Sequence, residues 1–260
     1  MQRGGAGLET VVVSRNVVSM PERIPVKILD DSQIAALKRY NTPTISNAIE
    51  LFDVRPRHEG FLPPTIKCLF PDMEPMVGYA VTCQIRARDA RRQDLRDLRG
   101  DYLKWVQSQP GPKVAVTQDL DDPPGVGAFF GDVNGNIHKT LGCVGHVTDG
   151  GARDLKEVRA LGFHFFTAGV CVSHAYVHIV DFGKPVQIAG VTIKPGDLLH
   201  GDMHGVCIIP NEVADRVADA CAEVERMERP MIELCQSKDF SVDKLLSLRT
   251  QAGTKLAEHR

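Results

Sequence analysis

The spacing of apolar residues follows two different periods along the chain, and these periods predict its strands and helices. Short runs rich in β-branched residues predict strands at residues 66–70, 77–85, 113–117, 143–148, 163–167, 186–189, 191–193 and 206–209. Apolar residues three and four positions apart predict helices at 90–107, 131–141 and 153–161, and others that begin near Asp30, Thr42 (as the cap) and Asn211. Because strands and helices alternate from residue 113 to residue 167, we expect an α/β fold with a largely parallel central sheet flanked by helices.

The chain divides into one domain with an extension at each end. Residues 1–24 begin with a Gly-rich stretch and show no sustained helical period, so we interpret them as an N-terminal arm. We expect the α/β domain to span residues 25–235 and a C-terminal helical extension to cover residues 236–260. With 43% hydrophobic residues, a chain of 260 residues can bury a substantial core.

Charge and hydropathy argue against nucleic-acid and membrane partners. The 31 Lys and Arg residues nearly balance the 33 Asp and Glu residues, and the formal net charge of −2 provides no global field to attract a polyanion. No apolar run approaches the roughly 18 residues that a membrane span needs. Near the N-terminus only Val11, Val12 and Val13 precede Arg15, which is too short for a secretory signal, so we expect a cytoplasmic protein.

The seven cysteines are odd in number and form no C-x-x-C pair. Most lie in apolar runs, such as those around Cys83 and Cys207. We interpret them as reduced, mostly buried thiols, with a disulfide framework or a zinc site as the alternative.

The clearest candidate for chemistry is the sequence Asp-Gly-Gly-Ala-Arg-Asp at residues 149–154. It follows one predicted strand and opens a predicted helix, and open α/β sheets bind ligands at such strand ends. Two glycines allow a ligand to approach the backbone, while Arg153 can hold a carboxylate and Asp154 a cation. A helix cap beside a surface arginine is the alternative interpretation.

A second segment, Gly-Ala-Phe-Phe-Gly-Asp-Val-Asn at residues 127–134, has the same setting. It follows a strand-like run and opens a predicted helix, so its backbone amides can hold an anion. It matches neither G-x-x-x-x-G-K-[ST] nor G-x-G-x-x-G, which favours a small carboxylate over a nucleotide phosphate as the ligand.

Together these segments resemble the 4-hydroxy-4-methyl-2-oxoglutarate aldolases, which share a fold with the regulator of ribonuclease E activity A proteins. The resemblance covers approximately residues 42–217. Its marks are the pair Gly131-Asp132 with Arg153 following 21 positions after Asp132, the sequence at 149–154, the pair Leu161-Gly162, and the sequences at 194–197 and 201–205.

The resemblance implies a swivelling β/β/α domain that assembles as a homotrimer or hexamer with its sites at subunit interfaces. It implies that Arg153 binds the substrate and acts in catalysis, as does Asp132, and that Asp154 holds a divalent metal, Mg²⁺ or Mn²⁺, which Asp132 supports through water. It also implies that the pyruvate moiety contacts the backbone at Gly131, Asp132, Val133 and Asn134.

The activity implied by the resemblance is that of a class II pyruvate aldolase. Such an enzyme cleaves a 4-hydroxy-2-oxo acid, for example 4-hydroxy-4-methyl-2-oxoglutarate, to pyruvate and a second oxo acid. The same chemistry would decarboxylate oxaloacetate.

Two positions depart from the aldolase pattern. Asn47 stands where many members have Asp, and His204 stands where many have an acid. The second departure leaves the general base open between metal-bound water, His204 and a carboxylate of a neighbouring subunit.

Other catalytic groups are less favoured by the sequence. A Schiff-base aldolase needs a desolvated lysine, whereas we interpret Lys139 and Lys156 as solvated. His174 and His178 are four residues apart, a spacing that suits a metal on a helix, but without a third ligand nearby a loop or interface role is favoured. His200 and His204 share this spacing within a Gly-containing turn.

A non-catalytic regulator of ribonuclease activity with the same fold is the alternative function. The joint presence of Asp132, Arg153 and Asp154 favours the enzyme over the regulator. A metal-dependent hydratase or isomerase of a related oxo acid is chemically close and is kept as a third hypothesis.

Overall fold

The structure is a computed structural model that describes residue 21 and residues 26–258. Apart from Pro21, the predicted N-terminal arm at residues 1–24 lies outside the described residues. Within the described part, no helix has the length and apolar character needed to cross a membrane.

In the part of the chain that the structure describes, ten strands form a large mixed sheet and a separate hairpin. They are β1 (Lys67–Cys68), β2 (Met76–Arg86), β3 (Lys113–Asp119), β4 (Cys143–Ala152), β5 (His164–Val170), β6 (His178–Phe182), β7 (Val186–Ile188), β8 (Val191–Ile193), β9 (Leu198–Asp202) and β10 (Gly205–Ile209). The large sheet has the order β1-β5-β4-β3-β2-β9-β10, with β6 also paired to β2, and the hairpin is formed by β7 and β8.

The large sheet is parallel only in its centre. The pairs β2–β3, β3–β4 and β4–β5 are parallel, whereas β1, β6, β9 and β10 join antiparallel. The expectation of a largely parallel sheet is therefore wrong at both edges. The sequence analysis did not predict β6 and β9. Both strands pair with the same edge of β2, which is 11 residues long and pairs with β9 at residues 76–79 and with β6 at residues 83–86.

The two faces of the sheet bury different layers, as the period of two in a strand requires. Val114 and Val116 of β3 pack in one cluster with Ile188 of the hairpin. Ala115, between them, packs on the opposite face in a cluster that includes Trp105. The hairpin thus covers one face and helices cover the other, which confirms the predicted α/β class with a β/β/α layering.

Helices flank the sheet at α1 (Asp31–Leu37), α2 (Thr42–Glu50), α3 (Arg99–Ser108), α4 (Asp132–Thr140), α5 (Leu155–Ala160), α6 (Val217–Gln236) and α7 (Val242–Glu258). The cap of α2 is Asn41, whose side chain accepts the Thr44 amide at 2.8 Å, so the prediction of Thr42 as the cap is wrong. The helix predicted from Asn211 begins only at Val217. The predicted boundary between residues 235 and 236 stays a prediction.

The predicted helix at 90–107 is correct only in its second half. Leu95 is 52% exposed, whereas the apolar side of α3 is formed by Tyr102, Trp105 and Val106, all buried. Helices in proteins are stabilised mainly by packing of an apolar face, so α3 begins at Arg99, one turn before its first buried residue.

All seven cysteines are free thiols, and Cys83, Cys143, Cys207 and Cys221 are buried. Burial raises the pKa of the first, second and fourth of these to about 12. The burial predicted for most of the cysteines is confirmed, and their reduced state stays a prediction.

Buried histidines make the stability of this fold sensitive to acid. His164 of β5 is 7% exposed, and burial lowers its pKa to about 4 from 6.5. The imidazole of His164 is protonated near pH 6.5 in the unfolded chain but only near pH 4 in the folded chain. The contribution of His164 to the free energy of unfolding is therefore most favourable above pH 6.5 and is lost as the pH falls towards 4. Between pH 7 and pH 5 we expect the free energy of unfolding of His164→Phe to fall by about 1–2 kcal/mol less than that of the unmodified protein.

Urea unfolding at several pH values measures this difference. His58→Phe is the control, since the His58 side chain is 83% exposed and its replacement is expected to leave the pH profile unchanged. Parallel profiles for all three proteins would show that His164 does not carry the proton uptake.

Candidate active site

The candidate site forms where two chain segments meet at one edge of the sheet. Phe130, just before α4, forms a parallel bridge with Ala152 at the end of β4, and the Arg153 amide donates to the Phe130 carbonyl at 3.2 Å. The beginnings of α4 and α5 therefore lie side by side. Both segments that the sequence indicated contribute to the same cleft.

Asp154 is not inside a helix, as the sequence analysis expected, but precedes α5 in a left-handed conformation. Its φ is 55° and its ψ is 45°, a region that Asp tolerates better than most residues. The predicted helix at 153–161 is therefore wrong at its first two residues: Arg153 still hydrogen-bonds to the neighbouring segment and α5 begins at Leu155. This geometry turns the Asp154 carboxylate back towards α4.

The Asp154 carboxylate links the two segments. Its Oδ2 atom accepts the Asp132 amide at 3.0 Å and lies 3.5 Å from Nε of Arg153. The Arg153 and Asp154 side chains are 34% and 36% exposed, so both reach the solvent of the cleft while staying in contact. The arginine and the acid therefore share one site.

Gly131 is required by the closeness of this contact. A Cβ atom at residue 131 would lie 2.3 Å from Oδ2 of Asp154 and 3.0 Å from Cγ of Arg153. Any side chain here would displace the carboxylate. The backbone of Gly131 is extended, with a φ of −153° that any residue adopts. The close contact with Asp154, and not the backbone conformation, therefore explains the glycine.

The first turn of α4 offers amide groups to the cleft. No side chain caps this helix, and the first intrahelical bond runs from the Gly135 amide to the Gly131 carbonyl at 2.8 Å. Amides of a first helical turn lack intrahelical acceptors and carry the positive end of the helix dipole. The amides of Val133 and Asn134 are therefore suited to a carboxylate.

Two carboxylate oxygens in the cleft have no hydrogen-bond donor among the described residues. Oδ1 of Asp132 accepts a hydrogen bond from Nδ2 of Asn136 at 2.8 Å, and Oδ2 of Asp154 accepts the Asp132 amide. The oxygens without a donor are Oδ2 of Asp132 and Oδ1 of Asp154. No group of three or more metal-ligating side chains occurs in the described part of the chain. Two hard oxygen ligands fit Mg²⁺ or Mn²⁺, since Mg²⁺ commonly keeps several waters and takes one or two carboxylates.

The cleft measures about 550 Å³, within the range of small-molecule sites. Its inner wall brings together the six residues to which the resemblance assigns a role in binding substrate or metal: Gly131, Asp132, Val133, Asn134, Arg153 and Asp154. Their roles stay predictions.

The outer wall of the cleft was not predicted. It is formed by the segment after β2 and the segment before β6, which the β2–β6 pairing brings together, and the Tyr176 amide donates to the Ala87 carbonyl at 2.9 Å. Residues Arg91, Asp97, Arg99, His174, Tyr176 and His178 line this wall. No local pattern in the sequence relates the arginines of this wall to Arg153.

The other residues considered from the sequence differ in their relation to this cleft: His174 and His178 line its outer wall, and the rest lie outside its lining. His178 starts β6 and His174 precedes it, so the pair is not on a helix, in line with the loop interpretation. No lysine lines the cleft, and Lys139 and Lys156 are exposed. Asn47 is exposed on α2, outside the cleft lining.

His204 lies in the turn between β9 and β10. Its Nδ1 atom is 3.1 Å from Oδ1 of Asp202, which also accepts the His204 amide at 2.8 Å. Hydrogen bonds from the amides of Thr42 and His204 and from their side chains lower the pKa of Asp202 despite its burial. His204 does not line the cleft of its own chain.

Asp149, the first residue of the sequence singled out above, has a different place. Its Oδ1 atom accepts the Asp119 amide at 2.8 Å, and burial raises its pKa to about 6. It links the ends of β3 and β4 and does not line the cleft. The site is therefore centred on Arg153 and Asp154 rather than on the whole of 149–154.

Comparison with known protein families decides the relationship. A family profile described as RraA-like, Aldolase/RraA, matches residues 42–208. The chain belongs to the RraA-like family. The match covers both segments of the cleft and agrees with the extent of the resemblance at residues 42–217.

Two relatives of this RraA-like chain are about one-third identical to it over the matched part. A protein of Halalkalibacterium halodurans named "Putative 4-hydroxy-4-methyl-2-oxoglutarate aldolase" is 32% identical over 157 residues, which is 60% of this chain and 69% of the relative. Protein DlpA of Legionella pneumophila is 31% identical over 191 residues, 72% of this chain but 29% of DlpA.

Solved structures share the RraA-like fold. An uncharacterized protein from Pseudomonas syringae has a TM-score of 0.68 at 23% identity, covering 90% of this chain and 100% of that protein. Streptomyces coelicolor RraAS2, described as an unusual member of the RNase ES inhibitor RraA protein family, has a TM-score of 0.62 at 26% identity, covering 79% of this chain and 98% of RraAS2.

The contact across Gly131 can be tested by one added methyl group. Gly131→Ala is expected to lower the free energy of unfolding by about 1–3 kcal/mol, because the new Cβ collides with the Asp154 carboxylate. We also expect faster hydrogen exchange of the Asp132 amide, which would lose its acceptor. Urea unfolding and exchange mass spectrometry of the segment around residue 132 measure the two effects.

The control for this change is Gly169→Ala. Gly169 lies in β5 with no atom within 4 Å of the added Cβ, so its replacement is expected to be nearly neutral. Equal stability and equal amide exchange in the two variants would rule out the close contact between Gly131 and Asp154.

Proposed function

We propose that this RraA-like chain is a divalent-metal-dependent, class II pyruvate aldolase. It cleaves a 4-hydroxy-2-oxo acid, such as 4-hydroxy-4-methyl-2-oxoglutarate, to pyruvate and a second oxo acid. The observation that carries the proposal is the convergence of Arg153, Asp154 and Asp132 with the first-turn amides of α4 in one cleft. The aldolase name of the Halalkalibacterium halodurans relative supports it.

The proposed reaction breaks the bond between carbons 3 and 4 of the substrate. The 4-hydroxyl group gives its proton to a base and becomes the carbonyl of the second oxo acid. The bonding electron pair passes to the pyruvate unit as an enolate, which then takes up a proton at carbon 3 to give pyruvate. Negative charge therefore develops on the 2-keto oxygen, where positive charge and donors in the site stabilise the transition state.

Each residue of the inner wall has a role in this proposal. Arg153 binds the substrate carboxylate and keto oxygen with a charged, planar donor group. The backbone from Gly131 to Asn134 positions the pyruvate unit through its amides. Asp154 holds the divalent ion and Asp132 supports it through water. A bound Mg²⁺ or Mn²⁺ would supply Lewis-acid stabilisation of the developing charge.

The general base stays open between water in the cleft and a side chain of a neighbouring subunit. His204 does not line the cleft of its own chain, so it can act only from a neighbouring subunit. We propose a homotrimer or hexamer with its cleft at the interface. Large apolar residues at and near the cleft support this, since Val133, Tyr176 and Val172 are 71%, 63% and 96% exposed.

Oxaloacetate decarboxylation is a second proposed activity. Loss of carbon dioxide from oxaloacetate also leaves a pyruvate enolate, so the same groups would stabilise it. A regulator of ribonuclease activity is the alternative, favoured by the similarity to Streptomyces coelicolor RraAS2.

Two substitutions test the roles of the charged pair. Asp154→Asn keeps an oxygen to accept the Asp132 amide but removes the charge that would bind the cation, and Arg153→Gln removes the substrate's cationic partner. Each is expected to lower kcat/KM for pyruvate release about 10²–10³-fold. A lactate dehydrogenase-coupled assay with the hydroxy-oxo acid or oxaloacetate and Mg²⁺ measures this.

Glu157→Gln and Arg159→Gln are the matched controls, because both residues are exposed on α5 outside the cleft lining. They are expected to retain activity. Activity of Asp154→Asn within about two-fold of the unmodified protein would overturn the proposed metal role. No turnover of either oxo acid by the unmodified protein would favour the regulator.

A further inference from the structure

The outer wall of the cleft contains two arginines that form no ion pair with any carboxylate of the described residues. Arg91 and Arg99 line the wall opposite Arg153. In the described part of the chain neither forms an ion pair, and the Arg91 guanidinium donates instead to the backbone carbonyls of Leu95 and Arg92. The guanidinium of Arg91 is thus held in place without being neutralised.

The neighbouring arginines of the same segment show the contrast. Arg92 pairs with Asp94 at 2.8 Å, and Arg96 pairs with Asp101. Neither Arg92 nor Arg96 lines the cleft. In residues 91–99, the two arginines outside the cleft lining therefore have acidic partners, and the two that line the cleft have none.

Other charged groups of the wall cancel this excess of positive charge only in part. Asp97 also lines the cleft, but its Oδ1 atom accepts the Arg99 amide at 3.0 Å. His174, Tyr176 and His178 complete the polar groups of this wall, and each histidine directs Nδ1 to a backbone carbonyl. Arg99 is the first residue of α3, where the helix dipole disfavours a cation, so its charge is not placed to stabilise the helix.

We propose that Arg91 and Arg99 form a second anion subsite, which binds a carboxylate at the end of the substrate away from the keto acid. This inference rests on the proposed function for the identity of the substrate, and it assigns the recognition of the distal acid to residues of the outer wall. A guanidinium fork matches a carboxylate with two parallel hydrogen bonds. A cleft of about 550 Å³ accommodates a substrate with an acid at each end.

The first test compares two substrates of one skeleton. One is a 4-hydroxy-2-oxo acid with a second carboxylate, and the other carries a methyl group in its place. The unmodified protein is expected to prefer the dicarboxylate by at least ten-fold in kcat/KM. Arg91→Gln and Arg99→Gln are each expected to reduce this preference several-fold, mainly through a higher KM for the dicarboxylate, and the double variant is expected to abolish it.

Arg92→Gln is the matched control, because Arg92 belongs to the same segment but pairs with Asp94 and does not line the cleft. It is expected to retain the full preference. An equal preference in the control and in the double variant overturns the inference while leaving the aldolase proposal intact.

The second test does not depend on turnover. Calorimetry compares the affinity for 2-oxoglutarate with that for 2-oxobutanoate, which lacks the second carboxylate. We expect 2-oxoglutarate to bind at least ten-fold more tightly and the double variant to lose this difference. Such a result without any catalysis would retain the subsite and reject the aldolase, whereas equal binding of the two ligands by the unmodified protein would reject the subsite.

Discussion

The site depends on one hydrogen bond, from the Asp132 amide to the Asp154 carboxylate across Gly131. It joins the start of α4 to the start of α5 and holds the acid beside Arg153. This contact requires both the left-handed conformation of Asp154 and a glycine at residue 131. The orientation of the amides, the arginine and the two carboxylates follows from it.

The sheet sets the wider geometry of the cleft. The parallel pair β3–β4 ends at the inner wall, and the antiparallel pairing of β6 with β2 brings the outer wall opposite. Behind the inner wall the ring of Phe130 stacks on His146 at 3.8 Å. Burial keeps the pKa of His146 well below its usual value, so this imidazole is neutral and serves as an aromatic support for the segment that carries Gly131.

The inner wall could be predicted because its signals are local. Residues 127–134 and 149–154 each combine glycines with polar residues between a strand and the helix that follows it, and parallel neighbouring strands place such connections at the same edge of the sheet. The spacing of apolar residues also predicted the bounds of β3, α4 and β5 to within a few residues. The conformation of Asp154 could not be predicted, because it depends on the acceptor it offers to a residue 22 positions away.

The outer wall could not be predicted because its residues are distant in the sequence and meet only through an unpredicted strand. β9 was not predicted for a related reason. It contains His200, a polar residue that is fully buried, and Oγ1 of Thr42, a residue distant in the sequence, lies 2.9 Å from its Nδ1 atom. Leu95 led to the opposite error. It has helical spacing and is apolar, so it was predicted to lie on a packed helix face, but in the structure it is exposed and lies before α3.

The central claim is that the cleft binds a keto acid and a divalent cation together. Oxalate resembles the pyruvate enolate in shape and charge, so calorimetric titration of oxalate into the unmodified protein, with Mg²⁺ and with a chelator, tests the claim most directly. The account predicts binding at least ten-fold tighter with Mg²⁺ than without it. Equal affinity under the two conditions, or no binding in either, would contradict it.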